Sequence, residues 1–149
     1  VESNQDQGAR RGVYGLNEEG SPTLKAATEF IGTRFRCLAP AGFADFNGDG
    51  VTDIALVDRP HLAKILYVFS YNEGLMLPYG SMNKVTNHRI GEDFITGGVR
   101  DCGFGPEIVM VNHDWNQVVG IKWFDDQFKW KNLIPFEGQD SIELALACG

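Results

Sequence analysis

Asp45-Phe46-Asn47-Gly48-Asp49-Gly50-Val51-Thr52-Asp53, running directly into Ile54-Ala55-Leu56-Val57, is the stretch on which the fold of this chain turns. Asp45, Asn47 and Asp49 put oxygen-bearing side chains at every second position. Gly50 allows the sharp turn that curls them around one point. Val51 has no ligating side chain and would contribute its backbone carbonyl, and Asp53 closes the set with a last carboxylate. A hard cation such as Ca²⁺ takes about six to eight oxygens, whereas Mg²⁺ resists such complete dehydration. Three carboxylates this close repel one another unless a cation sits among them. The plain alternative is a hairpin rich in Asp, Asn and Gly that holds no ion. An EF-hand begins in the same way but needs a bidentate acid at position twelve, between two helices. Position twelve here is Leu56, inside a strand-like run, so the EF-hand and related calcium-helix readings both fail.

Outward from this loop, the sequence repeats itself. Three segments read as hairpins: Val13–Leu16 with Thr23–Ala26, Ile65–Phe69 with Leu75–Leu77, and Val118–Phe124 with Phe128–Lys131. Their turns carry Asn, Asp or Gly, which tolerate tight backbone geometry. Gly20 to Gly74 is 54 residues, and Glu73 to Gln127 is again 54. A second element keeps step. Ile31-Gly32 returns as Ile90-Gly91 after 59 residues, and Asp45 before Ile54–Val57 returns as Asp101 before Ile108–Val111 after 56. The apolar runs are unbroken, as in strands buried on both faces. Four short strands in about 55 residues is the size of a propeller blade. Asp140–Leu146 reads as a further strand, 39 residues after Asp101 and out of step. It is expected to pair with a partner chain. Almost no helix is expected.

The loop, with Gly42-Phe43-Ala44 before it and Ile54-Ala55-Leu56 after it, closely resembles the FG-GAP/VCBS family of β-propeller repeats, which includes the propellers of integrin α-subunits. The resemblance implies an all-β fold of two to three four-stranded blades. It also implies that Asp45, Asn47, Asp49, Val51 (through its carbonyl) and Asp53 bind Ca²⁺, and that the ion braces a hairpin and takes no part in catalysis. The second copy, Asp101-Cys102-Gly103-Phe104-Gly105-Pro106-Glu107, keeps the outer acids and lacks the middle ligands, so strong calcium binding is not expected there. At about 55 residues per blade, 149 residues make about 2.7 blades (149/55), short of the four that close a ring. The expected organisation is therefore a polar, loose arm over residues 1–11 and an incomplete propeller over 12–149, a fragment or a ring completed by another chain.

Composition agrees with a globular domain, at 43% hydrophobic and 22% charged. A net charge of −7 argues against nucleic acid and anionic membrane surfaces as partners, and no apolar run is long enough for a membrane span. Cys37, Cys102 and Cys148 fit one disulfide plus a free thiol, and equally three reduced thiols. Val1-Glu2-Ser3-Asn4 has no apolar signal core, and a first residue of Val points to a trimmed chain. His61, His88 and His113 lie in loops without zinc spacing and are expected to be surface or hydrogen-bonded residues. No nucleophile elbow or phosphate-binding loop is present, so the expectation is a non-enzymatic module for protein interaction or assembly. Loops of this kind load at millimolar calcium, which favours an extracellular, cell-surface or periplasmic site. The alternatives are a lectin using Trp115, Trp123 and Trp130, with Trp123 and Trp130 in cross-strand contact, and a hydrolase at one end of the propeller channel.

Overall fold

The structure, a computed structural model, describes residues 1–34 and 37–149. It is all-β, with several antiparallel sheets, none of them closed, and one short helix. The chain opens with two small hairpins. The first pairs β1 (Glu2–Asn4) with β2 (Gly8–Arg10), and the second pairs β3 (Gly12–Leu16) with β4 (Pro22–Ala27). Within residues 1–11, where a loose arm was expected, Glu2–Asn4 and Gly8–Arg10 are paired with each other. Ala9 is buried, and its carbonyl accepts a hydrogen bond from the Ile31 amide at 3.0 Å.

Two larger sheets follow. The first is a meander of β5 (Leu38–Ala44), β6 (Asp53–Asp58), β7 (Ile65–Asn72) and β8 (Leu75–Asn83). The second runs β10 (Gly98–Arg100), β11 (Glu107–Asn112), β12 (Gln117–Phe124) and β13 (Gln127–Pro135). The short β9 (Val85–Thr86) pairs with β11 further along the edge that β10 occupies. The β7–β8 and β12–β13 links are two-residue turns, Glu73-Gly74 and Asp125-Asp126, with positive φ at both positions. Such turns match the natural twist of the strands, which is why these two hairpins are so legible in the sequence.

The main core lies between the two sheets. Ala39, Ala55, Val57, Leu66 and Val68 of the first face Ile108, Met110, Val119, Ile121 and Phe128 of the second. Alternate residues point away from this core. Leu38, Leu56 and Phe69 pack with Ala9 on the outer face of the first sheet. Val109, Val111 and Val118 form the outer face of the second. Both faces of β6 and β11 are thus covered, which accounts for their unbroken apolar runs.

The outer face of the second sheet is covered by α1 (Gln139–Leu146), where a strand was expected. Spacing and local chemistry favour the helix. Ile142 and Ala145 stand three apart on one side and are fully buried, burial worth about 1.5–3 kcal/mol for an Ile side chain. Asp140 sits in the first turn, where the helix dipole favours negative charge. The Ser141 hydroxyl donates to the Gly138 carbonyl at 2.6 Å. In this conformation the segment offers no strand edge to a partner. A disulfide joins Cys148, just beyond α1, to Cys102, and Cys37 is free. No helix among the described residues is long and apolar enough to cross a membrane.

Candidate functional site

The loop 45–52 joins β5 to β6, with Ala44 and Asp53 paired across its base. Its own side chains hold its shape. Asp45 Oδ1 accepts from the amides of Gly48 (2.7 Å) and Asp49 (3.0 Å), and Oδ2 accepts from that of Gly50 (2.8 Å). Asn47 Oδ1 accepts from the Asp49 amide at 3.1 Å, and Asp49 Oδ1 accepts from the Val51 amide at 2.8 Å. Asn47 Nδ2 donates to Asp49 Oδ2 at 3.1 Å. Gly48 and Gly50 take left-handed φ values of 77° and 85°, which side-chain-bearing residues adopt only with strain. Phe46 anchors the loop from below, buried edge-on against Phe128 at 6.4 Å.

Asp53 is the residue at the bottom of the loop, 0% exposed. Its Oδ2 accepts from the Phe46 amide at 2.9 Å and from the Tyr79 hydroxyl at 2.6 Å. Its Oδ1 is buried and has no hydrogen-bond partner among the described residues. Burial pushes the carboxyl above its ordinary range, and the charges of Asp49 and Asp45 push the same way against the two hydrogen bonds. Burial and the bond to Asp53 likewise push the Tyr79 hydroxyl up. Tyr79 lies 26 residues downstream on β8, and nothing local in the sequence marks it as part of this site.

Among the described residues, no three His, Cys, Asp or Glu side chains already converge as a metal-holding group. The chemistry of the donors is nevertheless that of a hard cation, since every candidate ligand is an oxygen. A carboxylate oxygen that accepts one hydrogen bond retains further lone pairs. The unpaired Oδ1 of Asp53 is a buried acceptor without a donor, an expensive arrangement unless something positive approaches it. The residues fit a calcium ion. Bound there, it would supply charge neutralisation and a mechanical tie between the ends of β5 and β6.

The second loop is built differently. Asp101 Oδ1 accepts from the amides of Gly103 (2.8 Å) and Gly105 (3.1 Å). Glu107 opens β11 as Asp53 opens β6, but the Arg100 guanidinium already bonds to it at 2.7 Å. The disulfide from Cys102 ties this loop to the end of α1. Arg100 and the disulfide were not legible as braces in the sequence.

The remaining candidates are scattered. Trp115 packs edge-on against Phe136 under the Arg89 guanidinium, at 5.5 and 3.9 Å. Trp123 packs edge-on against Tyr79 (5.1 Å) and Phe128 (4.9 Å). Only Trp130 keeps substantial exposure, at 41%, and its cross-strand neighbour is Ile121, not Trp123. Among the described residues no ring pair joins any two of the three tryptophans. His61 and His88 do meet, 3.4 Å apart between Nε2 and Nδ1, and the far nitrogen of His88 faces the Glu92 backbone carbonyl at 3.0 Å. His113 stands apart beside Asp114, 3.2 Å away and exposed.

No protein-family model matches the chain, and no curated protein and no solved structure matches it.

Proposed function

We propose that this chain is a calcium-braced, propeller-type β module that serves protein interaction or assembly outside the cytoplasm, without catalysis of its own. Asp45, Asn47, Asp49, the Val51 carbonyl and Asp53 would hold the ion. One observation carries the reading. A fully buried carboxylate with an oxygen unpaired among the described residues sits at the base of a loop that also carries the oxygen-bearing side chains of Asp45, Asn47 and Asp49. The blade reading is supported by a four-stranded meander and a five-stranded sheet with a four-strand meander path, stacked face to face, each with an apolar run in the second strand of its path.

The non-catalytic reading is supported by the histidine pair, which is backed by a backbone carbonyl where a catalytic dyad has a carboxylate. Thermal melts in EDTA and in millimolar calcium test the metal assignment. The expected result is a midpoint several degrees higher with calcium, a gain lost in Asp49→Ala. Identical midpoints for the unaltered chain in the two buffers would remove the calcium reading.

A further inference from the structure

The hairpin β3–β4 covers the outer face of the first large sheet only in part, and two clefts along that face both touch Arg11. Arg11 is only 9% exposed, with its guanidinium stacked 4.2 Å from the centre of the Phe69 ring. Its Nε and Nη1 are buried and find no acceptor among the described residues. The neighbouring carboxylate, Asp58, is taken by Arg59 through three hydrogen bonds of 2.8–3.1 Å. A charge out of water without a partner is unfavourable, and the usual resolution is a counter-charge with matching hydrogen bonds. Burial, opposed by attraction to Asp58, pulls the guanidinium pKa down to about 10, which still leaves it charged at neutral pH.

The deeper of the two clefts has a volume of about 300 Å³, at the lower end of small-molecule pockets. Val13, Phe43, Ile54, Tyr71 and Met76 line it together with Arg11, and its walls are mainly apolar. One cation at an otherwise oily wall suits a ligand with one anionic end and an apolar body.

We propose that this cleft binds a small amphipathic carboxylate, a medium-chain or aryl acid, with its body against Ile54, Tyr71 and Met76 and its carboxylate on the Arg11 guanidinium. A carboxylate matches the planar fork of an arginine with two parallel hydrogen bonds. The guanidinium rests on Phe69, which lines the second cleft, so pairing requires it to rotate about its stem and turn Nε and Nη1 toward the first. This site is independent of the calcium reading.

The test is isothermal titration of the full chain in EDTA, so that the loop ion plays no part, with octanoate, octan-1-ol and acetate as probes. Octanoate is expected to bind saturably at one site, at least tenfold more tightly than octan-1-ol, with no binding of acetate. Arg11→Met keeps an apolar stem on Phe69 and is expected to abolish the preference for octanoate. Equal affinities for octanoate and octan-1-ol in the unaltered chain, or no saturable octanoate binding, would overturn the proposal. NMR shift mapping of the unaltered chain makes the result independent of whether the variant folds. Octanoate-induced shifts centred on Phe43, Ile54 and Met76 support the site, and shifts centred elsewhere refute it.

Discussion

Asp53→Asn distinguishes an ion-braced loop from an ordinary hairpin by the sign of its effect. In EDTA the native carboxylate is fully buried with one oxygen unpaired, near the charges of Asp45 and Asp49. An unsatisfied buried polar group costs about 1–3 kcal/mol, and more when charged. The amide removes that charge and its oxygen still accepts from the Phe46 amide and the Tyr79 hydroxyl, while its Nδ2 takes the unpaired position, so the gain is the loss of the buried charge alone. The variant is therefore expected to melt above the native chain in EDTA, by roughly 2–4 °C for each kcal/mol recovered in a domain of this size. With calcium the order reverses. At a hundredfold excess over its dissociation constant, an ion bound only to the folded state stabilises it by about 2.7 kcal/mol. The variant lacks one charged ligand and forgoes most of that gain.

Scanning calorimetry of both chains in both buffers gives four midpoints, and the crossing is the signature. If the variant melts below the native chain in EDTA by the same margin as in calcium, Asp53 acts through its hydrogen bonds alone. The ion then has no place in the account.

Other perturbations address the rest of the fold. Reducing the Cys102–Cys148 bridge opens a loop of 46 residues, and chain-entropy reasoning puts the loss near 4 kcal/mol, read as a lower urea midpoint in dithiothreitol. The native chain is expected to titrate one thiol, that of Cys37, slowly at pH 8, because burial pushes its pKa up; three rapid thiols without reductant would contradict the bridge. Ile142→Ala empties a fully buried position between α1 and the second sheet and is expected to cost about 2–4 kcal/mol in denaturant unfolding, against under 1 kcal/mol for an exposed Leu75→Ala. Gly120→Ala places a methyl 2.5 Å from Glu107 Oε1, beside the Arg100 ion pair, and is expected to destabilise by about 1–3 kcal/mol.

Strands announced themselves where local chemistry and burial agreed. Ile54–Val57 and Ile108–Val111 lie in β6 and β11 because a strand covered on both faces has no polar side to show. Glu73-Gly74 and Asp125-Asp126 lie at two-residue turns because Gly and Asp accept positive φ. The candidate loop was legible for the same reason. The side chains of Asp45, Asn47 and Asp49 accept from amides two to five residues away, those of Gly48 and Gly50 among them, a range that a sequence window covers.

What stayed hidden depends on contacts between distant segments. Within Asp140–Leu146, Ser141-Ile142-Glu143-Leu144 alternates polar and apolar residues like a strand, while Ile142 and Ala145 also stand at helical spacing. The choice falls to the apolar face of Val109, Val111 and Val118, against which the helix buries Ile142 and Ala145. Tyr79 joins Asp53 only because β8 runs beside β7, which lies beside β6. Arg11 follows the same logic in reverse. Nothing local in Arg10-Arg11 marks either residue for burial, yet Arg11, between β2 and β3, stacks its guanidinium on Phe69. With Asp58 bonded to Arg59, the fold leaves a buried cation whose Nε and Nη1 have no hydrogen-bond acceptor among the described residues.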